Sequence, residues 1–238
     1  MNIKQNEIYL QDNLSLLSNI DNEIIDLIYC DILYGTGKNF GDYQDLKPVR
    51  KEIEDHYIPR FTEMKRTLKK ESGSLFLQMD SRISHWVRVI TEDLGFNLVN
   101  EIVWEYGLGR SSDRQFGKRH DIILWLCQGD SYTYNKILTP AKSNKMKGQF
   151  KKMGDVWSDI PSLNNMANER VGYATQKPIE LLERIILAAS NENDLVADFY
   201  MGSGTAMVVA KKHNRRYIGC DINPKSIEIA SKRLEEII

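Results

Sequence analysis

The residues best able to do chemistry fall at two junctions where an apolar stretch runs into a turn. The first is Leu195-Val196-Ala197-Asp198-Phe199-Tyr200-Met201-Gly202-Ser203-Gly204-Thr205, followed by a helical stretch from Ala206 to Lys212. Glycines let the backbone approach a ligand closely and adopt positive φ. The N-terminus of the helix that follows offers N–H groups with no partner inside it. The next apolar stretch ends in Asp221, and an acid in that place can accept hydrogen bonds from ribose hydroxyls. This combination indicates a nucleoside-containing cofactor. The turn is not the G-x-G-x-x-G fingerprint of dinucleotide oxidoreductases, because Met207 stands at the third glycine, and no Gly-Lys-Ser/Thr makes it a phosphate-binding Walker loop. The second junction is Ile24-Ile25-Asp26-Leu27-Ile28-Tyr29-Cys30-Asp31-Ile32-Leu33-Tyr34. It ends in an acid, two apolar residues and a tyrosine.

The elements that must position these residues follow from the patterning. Apolar runs at 8–10, 24–30, 74–79, 98–104, 121–127, 195–199 and 217–220 are rich in Ile, Val, Leu and aromatics and read as buried strands. Helical periodicity lies between many of them. Ser81 is placed to cap a helix that buries Ile83, Trp86, Val87, Ile90 and Leu94 and ends at Gly95. Pro178 suits the first turn of a helix with Ile179, Leu182, Ile186 and Ala189 inward, and Asn223-Pro224 opens the last helix. Alternating strands and helices predict an α/β fold, a mostly parallel twisted sheet with helices on both faces. Residues 35–70 and 130–170 break the alternation; the first becomes a charged helical segment that Pro59 interrupts. Such insertions are commonly functional loops.

The chain has 238 residues, 42% hydrophobic and 27% charged. That is ordinary for a globular domain and excludes a disordered, collagenous or disulfide-scaffold chain. Cys30, Cys127 and Cys220 lie far apart in apolar stretches, with no zinc-ligand spacing. They read as buried reduced thiols of a cytoplasmic protein. No run approaches the ~18 apolar residues of a membrane span, and the N-terminus shows no apolar signal core.

With these residues in view, the chain resembles the amino DNA methyltransferases, which methylate exocyclic amines of adenine or cytosine. Their catalytic tetrad, Asp/Asn/Ser-Pro-Pro-Tyr/Phe, matches Asp31-Ile32-Leu33-Tyr34 in kind, and their cofactor turn, Asp-Pro-Phe-x-Gly-x-Gly-Thr, matches Asp198 to Thr205. Gly172-Tyr173-Ala174-Thr175-Gln176-Lys177-Pro178 is similar to the family's Thr-Gln-Lys-Pro helix entrance. The tetrad precedes the cofactor turn, which is the order of the β class, a circularly permuted form of the Rossmann-like S-adenosylmethionine-dependent methyltransferase fold. After Asp221 the sequence has one helix and no further strand. The strand at 8–10 can take the missing place, with Asp12 then near the cofactor's adenine.

The resemblance implies a single methyltransferase domain over 1–238 and S-adenosylmethionine as cofactor, with no metal. The cofactor would be held by Asp12, Asp31, Thr175, Lys177, Asp198, Phe199, Tyr200, Gly202, Ser203, Gly204, Thr205 and Asp221. It implies a base flipped out of duplex DNA. Asp31 and the Ile32 carbonyl would accept the two N–H groups of the exocyclic amine, and Tyr34 would stack on the base, worth ~1–3 kcal/mol. An aspartate in the first tetrad position favours adenine N6, since cytosine-N4 members usually carry serine. Ile32-Leu33 in place of Pro-Pro restores two backbone donors and loosens the turn. A catalytically weak DNA-binding homologue, an N4-cytosine enzyme and an RNA methyltransferase remain alternatives. A homodimer and a cognate restriction endonuclease, in a bacterial cytoplasm at the nucleoid, are the further settings the family implies.

The net charge of −1 divides unevenly. Between Arg110 and Lys152 ten basic residues (Arg110, Arg114, Lys118, Arg119, Lys136, Lys142, Lys145, Lys147, Lys151, Lys152) face only Asp113, Asp121 and Asp130, giving +7 and leaving −8 elsewhere. Such a segment suits phosphates, with Arg110, Arg114, Lys118, Arg119, Lys142, Lys145 and Lys147 as DNA-binding candidates. Residues 130–168, between tetrad and cofactor turn, are the expected target-recognition region, with Asn144, Gln149, Asn164 and Asn165 as planar readers. Residues 35–70, net positive from Asp45 to Lys70, are expected to form a mobile lid that orders over DNA or cofactor.

Overall fold

A computed structural model describes residues 3–39, 44–107, 113–141, 147–164 and 167–237. In chain order the elements are β1 (Glu7–Leu10), α1 (Asn13–Leu17), β2 (Leu27–Asp31), α2 (Arg50–Thr67), β3 (Ser74–Met79), α3 (Ser84–Asp93), β4 (Asn97–Glu105), β5 (His120–Cys127), β6 (Leu138–Pro140), β7 (Phe150–Lys152), β8 (Val156–Trp157), α4 (Ile179–Ala189), β9 (Leu195–Asp198), α5 (Thr205–Lys212), β10 (Arg216–Asp221) and α6 (Pro224–Glu235).

Among the described residues the main sheet has strand order β1-β10-β9-β2-β3-β5-β4-β8. It is parallel from β1 through β3, while β5 runs antiparallel to both β3 and β4. The N-terminal strand lies along β10 in parallel register, from Glu7 opposite Ile218 to Leu10 opposite Asp221. It thus fills the place the chain order left vacant, and the permuted arrangement stands.

The central strands are buried on both faces, which explains their continuous apolar runs. On β2, Ile28 and Cys30 pack with α1, α2 and α3, whereas Leu27 and Tyr29 pack with α4, α5 and α6. This alternation ties one strand to both helical layers and sets the depth at which Asp31 emerges.

Four local expectations differ from the structure. Strand β2 begins at Leu27, not at 24, because Ile24 and Ile25 donate to the Thr67 carbonyl and Asp26 pairs with Lys69 at 2.7 Å. Ser81 does not cap α3. The helix starts at Ser84, and Asp80 accepts the Arg82 N–H at 2.7 Å in the preceding turn. Pro178 is the N-cap of α4, one position before its first turn.

The fourth concerns Pro59, which does not interrupt α2. The helix runs 18 residues through it with Ile53, Tyr57, Phe61 and Met64 fully buried. A proline costs an interior helix ~3 kcal/mol or more; burying each of these side chains contributes roughly 1.5–3 kcal/mol, so the shared apolar face wins. The second half of the expected lid is therefore a core helix. Its first half is pinned: the buried Asp45 carboxylate accepts from the N–H groups of Gly35 (3.1 Å), Thr36 (2.7 Å) and Leu46 (2.8 Å).

The expected recognition region is likewise partly structural. Tyr132 and Tyr134 pack on Trp125, β8 extends the sheet, and the Trp104 indole donates to the Ile160 carbonyl at 2.8 Å. Its β6–β7 hairpin forms a separate two-stranded sheet that exposes Phe150, Lys151 and Lys152.

Candidate active site

A cavity of about 720 Å3 opens at the C-terminal ends of β1, β10, β9 and β2, where ligands bind in open α/β sheets. Its walls include the whole tetrad Asp31, Ile32, Leu33 and Tyr34. They also include Asp12, Thr175, Lys177, Asp198, Phe199, Tyr200, Gly202, Ser203, Thr205 and Asp221. Gly204 stands behind the wall: a Cβ built on it would lie 2.6 Å from the Ala230 Cβ, so it lets α6 close on the turn.

The glycine turn is held from both sides. Asp221 accepts the N–H of Gly202 at 2.9 Å through one oxygen and that of Asn223 at 2.9 Å through the other. Burial pushes its carboxyl above the usual range, with these backbone donors acting against that rise. The buried Arg233 of α6 donates to the Ser203 carbonyl at 2.7 Å and to Thr205 Oγ1 at 2.9 Å. The Ser203 carbonyl and the Thr205 hydroxyl are thereby fixed in the wall. Asp198 is deeply buried, which drives its carboxyl well above the ordinary range, and it accepts the Tyr200 N–H at 2.9 Å.

At the other end of the cavity lies a continuous polar network. Lys177 forms an ion pair with Asp31 Oδ2 and stands 5.4 Å from the centre of the Tyr34 ring. The Tyr34 hydroxyl lies 2.9 Å from Asp31 Oδ1 and 2.6 Å from Asp121 Oδ2. Gln78 Nε2 donates to Asp121 at 2.9 Å and Gln78 Oε1 accepts from Tyr29 at 2.7 Å. Lys177, expected among the cofactor-binding residues, lines that cavity, but its ammonium is engaged with the tetrad acid. The tetrad turn is also not loosened at Ile32. The N–H that a proline would lack donates to the Gln78 carbonyl at 3.0 Å, extending the β2–β3 ladder, and Tyr57 donates to the Leu33 carbonyl at 2.9 Å.

Several residues of this site carry no motif in the sequence. Asp121 and Gln78 are polar positions in otherwise apolar buried strands, which is the signal that could have marked them. His56 and Arg60 come from α2. Arg60 Nη2 lies 3.1 Å from Asp12 Oδ2, and its Nε donates to Asn13 at 2.7 Å. His56 meets the Tyr200 hydroxyl at 3.0 Å, and burial, aided by Arg60, lowers its pKa to about 4, so the ring is neutral at pH 7. Asp12 also caps α1 by accepting from Ser15 at 3.1 Å.

The DNA-binding candidates are dispersed. Arg110, Lys142 and Lys145 lie outside the described residues, as do Asn144 and Asn165. Lys118, expected at a phosphate, is paired with Asp80, an acid from outside the basic segment. Arg114 and Arg119 are exposed before β5, and the Arg119 carbonyl accepts from the N–H of Tyr106, which lines the cavity. Lys147 sits at the exposed turn of the β6–β7 hairpin. Among the described residues no group of three His, Cys, Asp or Glu could hold a metal, and no helix is long and apolar enough to cross a membrane.

Comparison with known proteins agrees with this geometry. Residues 25–232 match the family model described as DNA methylase. Over 92% of its length the chain is 34% identical to "Type II methyltransferase M.HpaI" of Haemophilus parainfluenzae, covering 71% of that protein. It is 32% identical to "DNA adenine methyltransferase YhdJ" of Escherichia coli K12, over 94% of the chain and 81% of the relative. Among solved structures, "PVUII DNA methyltransferase (cytosine-N4-specific)" superposes with a TM-score of 0.75 at 16% identity, covering 98% of this chain and 87% of that one. The M1.HpyAVI–SAM complex does so with a TM-score of 0.67 at 21% identity, over 96% and 98%. At such identities these structures speak for the fold.

Proposed function

Because the chain belongs to the DNA methylase family, we propose that it transfers a methyl group from S-adenosylmethionine to the N6 amine of an adenine flipped out of duplex DNA. The observation that carries this reading is the placement of Asp31. Its carboxylate is anchored by Lys177 and the Tyr34 hydroxyl on the wall of the same cavity that the Gly202 turn and Asp221 enter. The cavity's size falls within the range of small-molecule sites. Its residues also suit the cofactor. The Gly202 turn lies on the cavity wall beside Tyr173, and Asp221 and Asp12 on the same wall are the acceptors this reading gives to ribose and adenine.

Bound there, the cofactor supplies an electrophilic methyl group. The chain's own residues supply the rest. An exocyclic amine is a poor nucleophile because its lone pair is delocalised into the ring. Asp31, ion-paired with Lys177, accepts one amine N–H and favours a pyramidal nitrogen with its lone pair free for in-line attack. The Ile32 carbonyl is placed for the second N–H, and the Tyr34 ring supports the base face. The remaining acceleration is orientation.

The type II setting of the M.HpaI relative supports a restriction-modification role with a companion endonuclease, exercised on DNA in the bacterial cytoplasm; a homodimer belongs to the same proposal. For the DNA face we retain Arg114, Arg119 and Lys147, with recognition by the described parts of 130–168. Arg114→Ala and Arg119→Ala are each expected to weaken binding about equally on all sequences. Each should lower the slope of log K against log salt by roughly 1, measured by fluorescence anisotropy. A sequence-dependent loss would instead place the residue at a base.

The decisive experiment incubates the protein with labelled S-adenosylmethionine and mixed-sequence duplex DNA, then digests the DNA and identifies the modified base. N6-methyladenine is expected. N4-methylcytosine, or tight DNA binding without transfer at any enzyme concentration, overturns the reading.

A further inference from the structure

We propose that Asp121 is a positioning residue of this site: its carboxyl carries a proton and, through the Tyr34 hydroxyl, fixes both the tetrad ring and the acceptor face of Asp31. The inference deepens the methyl-transfer reading above and rests on it for its catalytic consequence.

The argument is one of counting protons. The Tyr34 oxygen is within hydrogen-bond distance of Asp31 Oδ1 (2.9 Å) and of Asp121 Oδ2 (2.6 Å), yet a phenol carries one hydrogen. If both carboxyls were ionised, one of these oxygen–oxygen contacts would hold no proton and would repel. One acid must therefore be protonated, and the surroundings decide which. Asp31 is ion-paired with the Lys177 ammonium. Asp121 is 4% exposed, and its hydrogen-bonding neighbours are neutral, the Gln78 amide and the Tyr34 and Tyr106 hydroxyls. In the arrangement described, Gln78 Oε1 accepts from Tyr29 and the amide offers Asp121 its N–H. The chain of donors then runs one way. Asp121 Oδ2–H donates to the Tyr34 oxygen, and Tyr34 O–H donates to Asp31 Oδ1. Lys177 holds Asp31 Oδ2 from the opposite side.

The groups that face Asp121 come from several elements: Tyr29 and Asp31 of β2, Tyr34 after it, Gln78 of β3, Tyr106 after β4, and Lys177 before α4. Burial raises the Asp121 carboxyl above its ordinary value against the Lys177 charge and the Tyr34 and Gln78 hydrogen bonds, and the Asp31 charge adds to that rise. Deprotonating Asp121 would set a second negative charge across Tyr34 from Asp31 and break the one-way chain. The tetrad would lose its alignment as pH rises through that titration.

Three measurements test this. Carboxyl carbon NMR on the free protein should show, besides Asp198 and Asp221, an aspartate titrating above the ordinary range whose resonance is missing in Asp121→Asn. An ordinary titration of that resonance overturns the proposal whether or not the protein methylates DNA. In single-turnover methylation, Asp121→Asn cannot ionise, so whatever rate it retains should lose the alkaline fall; an alkaline limb shared with the wild type overturns the proposal. Asp121→Leu should slow transfer roughly 10- to 100-fold, the scale of a lost charge-linked hydrogen bond. It should cost almost nothing further in a Tyr34→Phe background, since residues acting through one contact are not additive. Full additivity would make Asp121 merely structural. An inactive wild type with the NMR result intact would instead fault the methyl-transfer reading.

Discussion

Asp31→Ala is expected to reduce methyl transfer by about 10^2–10^3-fold or more, the range for removing one preorganised polar group from an active site, while S-adenosylmethionine binds with nearly unchanged affinity. The expectation follows from where Asp31 stands. It emerges from the end of β2 as the acceptor face of a network that includes Lys177, Tyr34 and Asp121. The cofactor cradle is built from other parts of the chain, the Gly202 turn and Asp221. Truncation removes the acceptor that concentrates the amine lone pair, an interaction of use chiefly in the transition state. It should therefore lower kcat with little change in the cofactor's dissociation constant. It also leaves the Lys177 ammonium, largely buried, without its partner. A destabilisation of about 1–3 kcal/mol should accompany the loss of activity. Asp31→Ala combined with Lys177→Met should recover most of that stability and none of the rate. Single-turnover methylation, calorimetric cofactor titration and thermal melts separate these effects. A variant that transfers methyl at the wild-type rate would remove Asp31 from the tetrad role.

The sheet was legible because its strands are buried on both faces and so write continuous apolar runs. Ser74–Met79 and its neighbours have no other way to be soluble. Edges were less legible where a local hydrogen bond competes with the pattern, as Asp80 does with Ser81 and Thr67 with Ile24. Pro59 misled for the opposite reason: a local breaker was outweighed by four side chains that meet the core from one helix face.

The site divided along the same line. Residues in motifs, from Asp31 to Tyr34 and from Asp198 to Thr205, reached the cavity because each motif is a strand end plus its turn, and strand ends share one rim. Gln78 and Asp121 reached it through register alone: Gln78 pairs with Asp31 on one side and with Ile123 on the other. Such pairing is a property of the folded sheet, and only the isolated polar letter in an apolar run hints at it. Charge behaved similarly. Lys118 counted toward a basic segment by position, and space gave it to Asp80.

The second large effect is expected at Gly204. Its φ is +75°, and a Cβ there would stand 2.6 Å from the Ala230 Cβ and 3.2 Å from the Ala230 Cα. Gly204→Ala combines a left-handed backbone cost of roughly 1–2 kcal/mol with overpacking of about 1–3 kcal/mol. Against a typical total stability of about 5–15 kcal/mol, that should lower Tm by on the order of 10 °C. The strain has two sources, and they separate experimentally. Ala230→Gly removes the nearer contact but not the positive φ, so the double variant should regain only part of the loss. The turn that Gly204 closes also carries the Gly202 N–H, which Asp221 holds at 2.9 Å. Displacing it should weaken cofactor affinity, seen as a smaller rise of Tm with added S-adenosylmethionine. The Asp31–Tyr34–Asp121 network shares no hydrogen bond with this turn among those described. Transfer at saturating cofactor should therefore stay close to the wild-type rate in the surviving folded protein. Asp31→Ala would then lose rate and keep cofactor affinity, while Gly204→Ala would do the reverse. If Gly204→Ala melts with the wild type, α6 does not close on the turn as described, and this division of labour across the cavity fails with it.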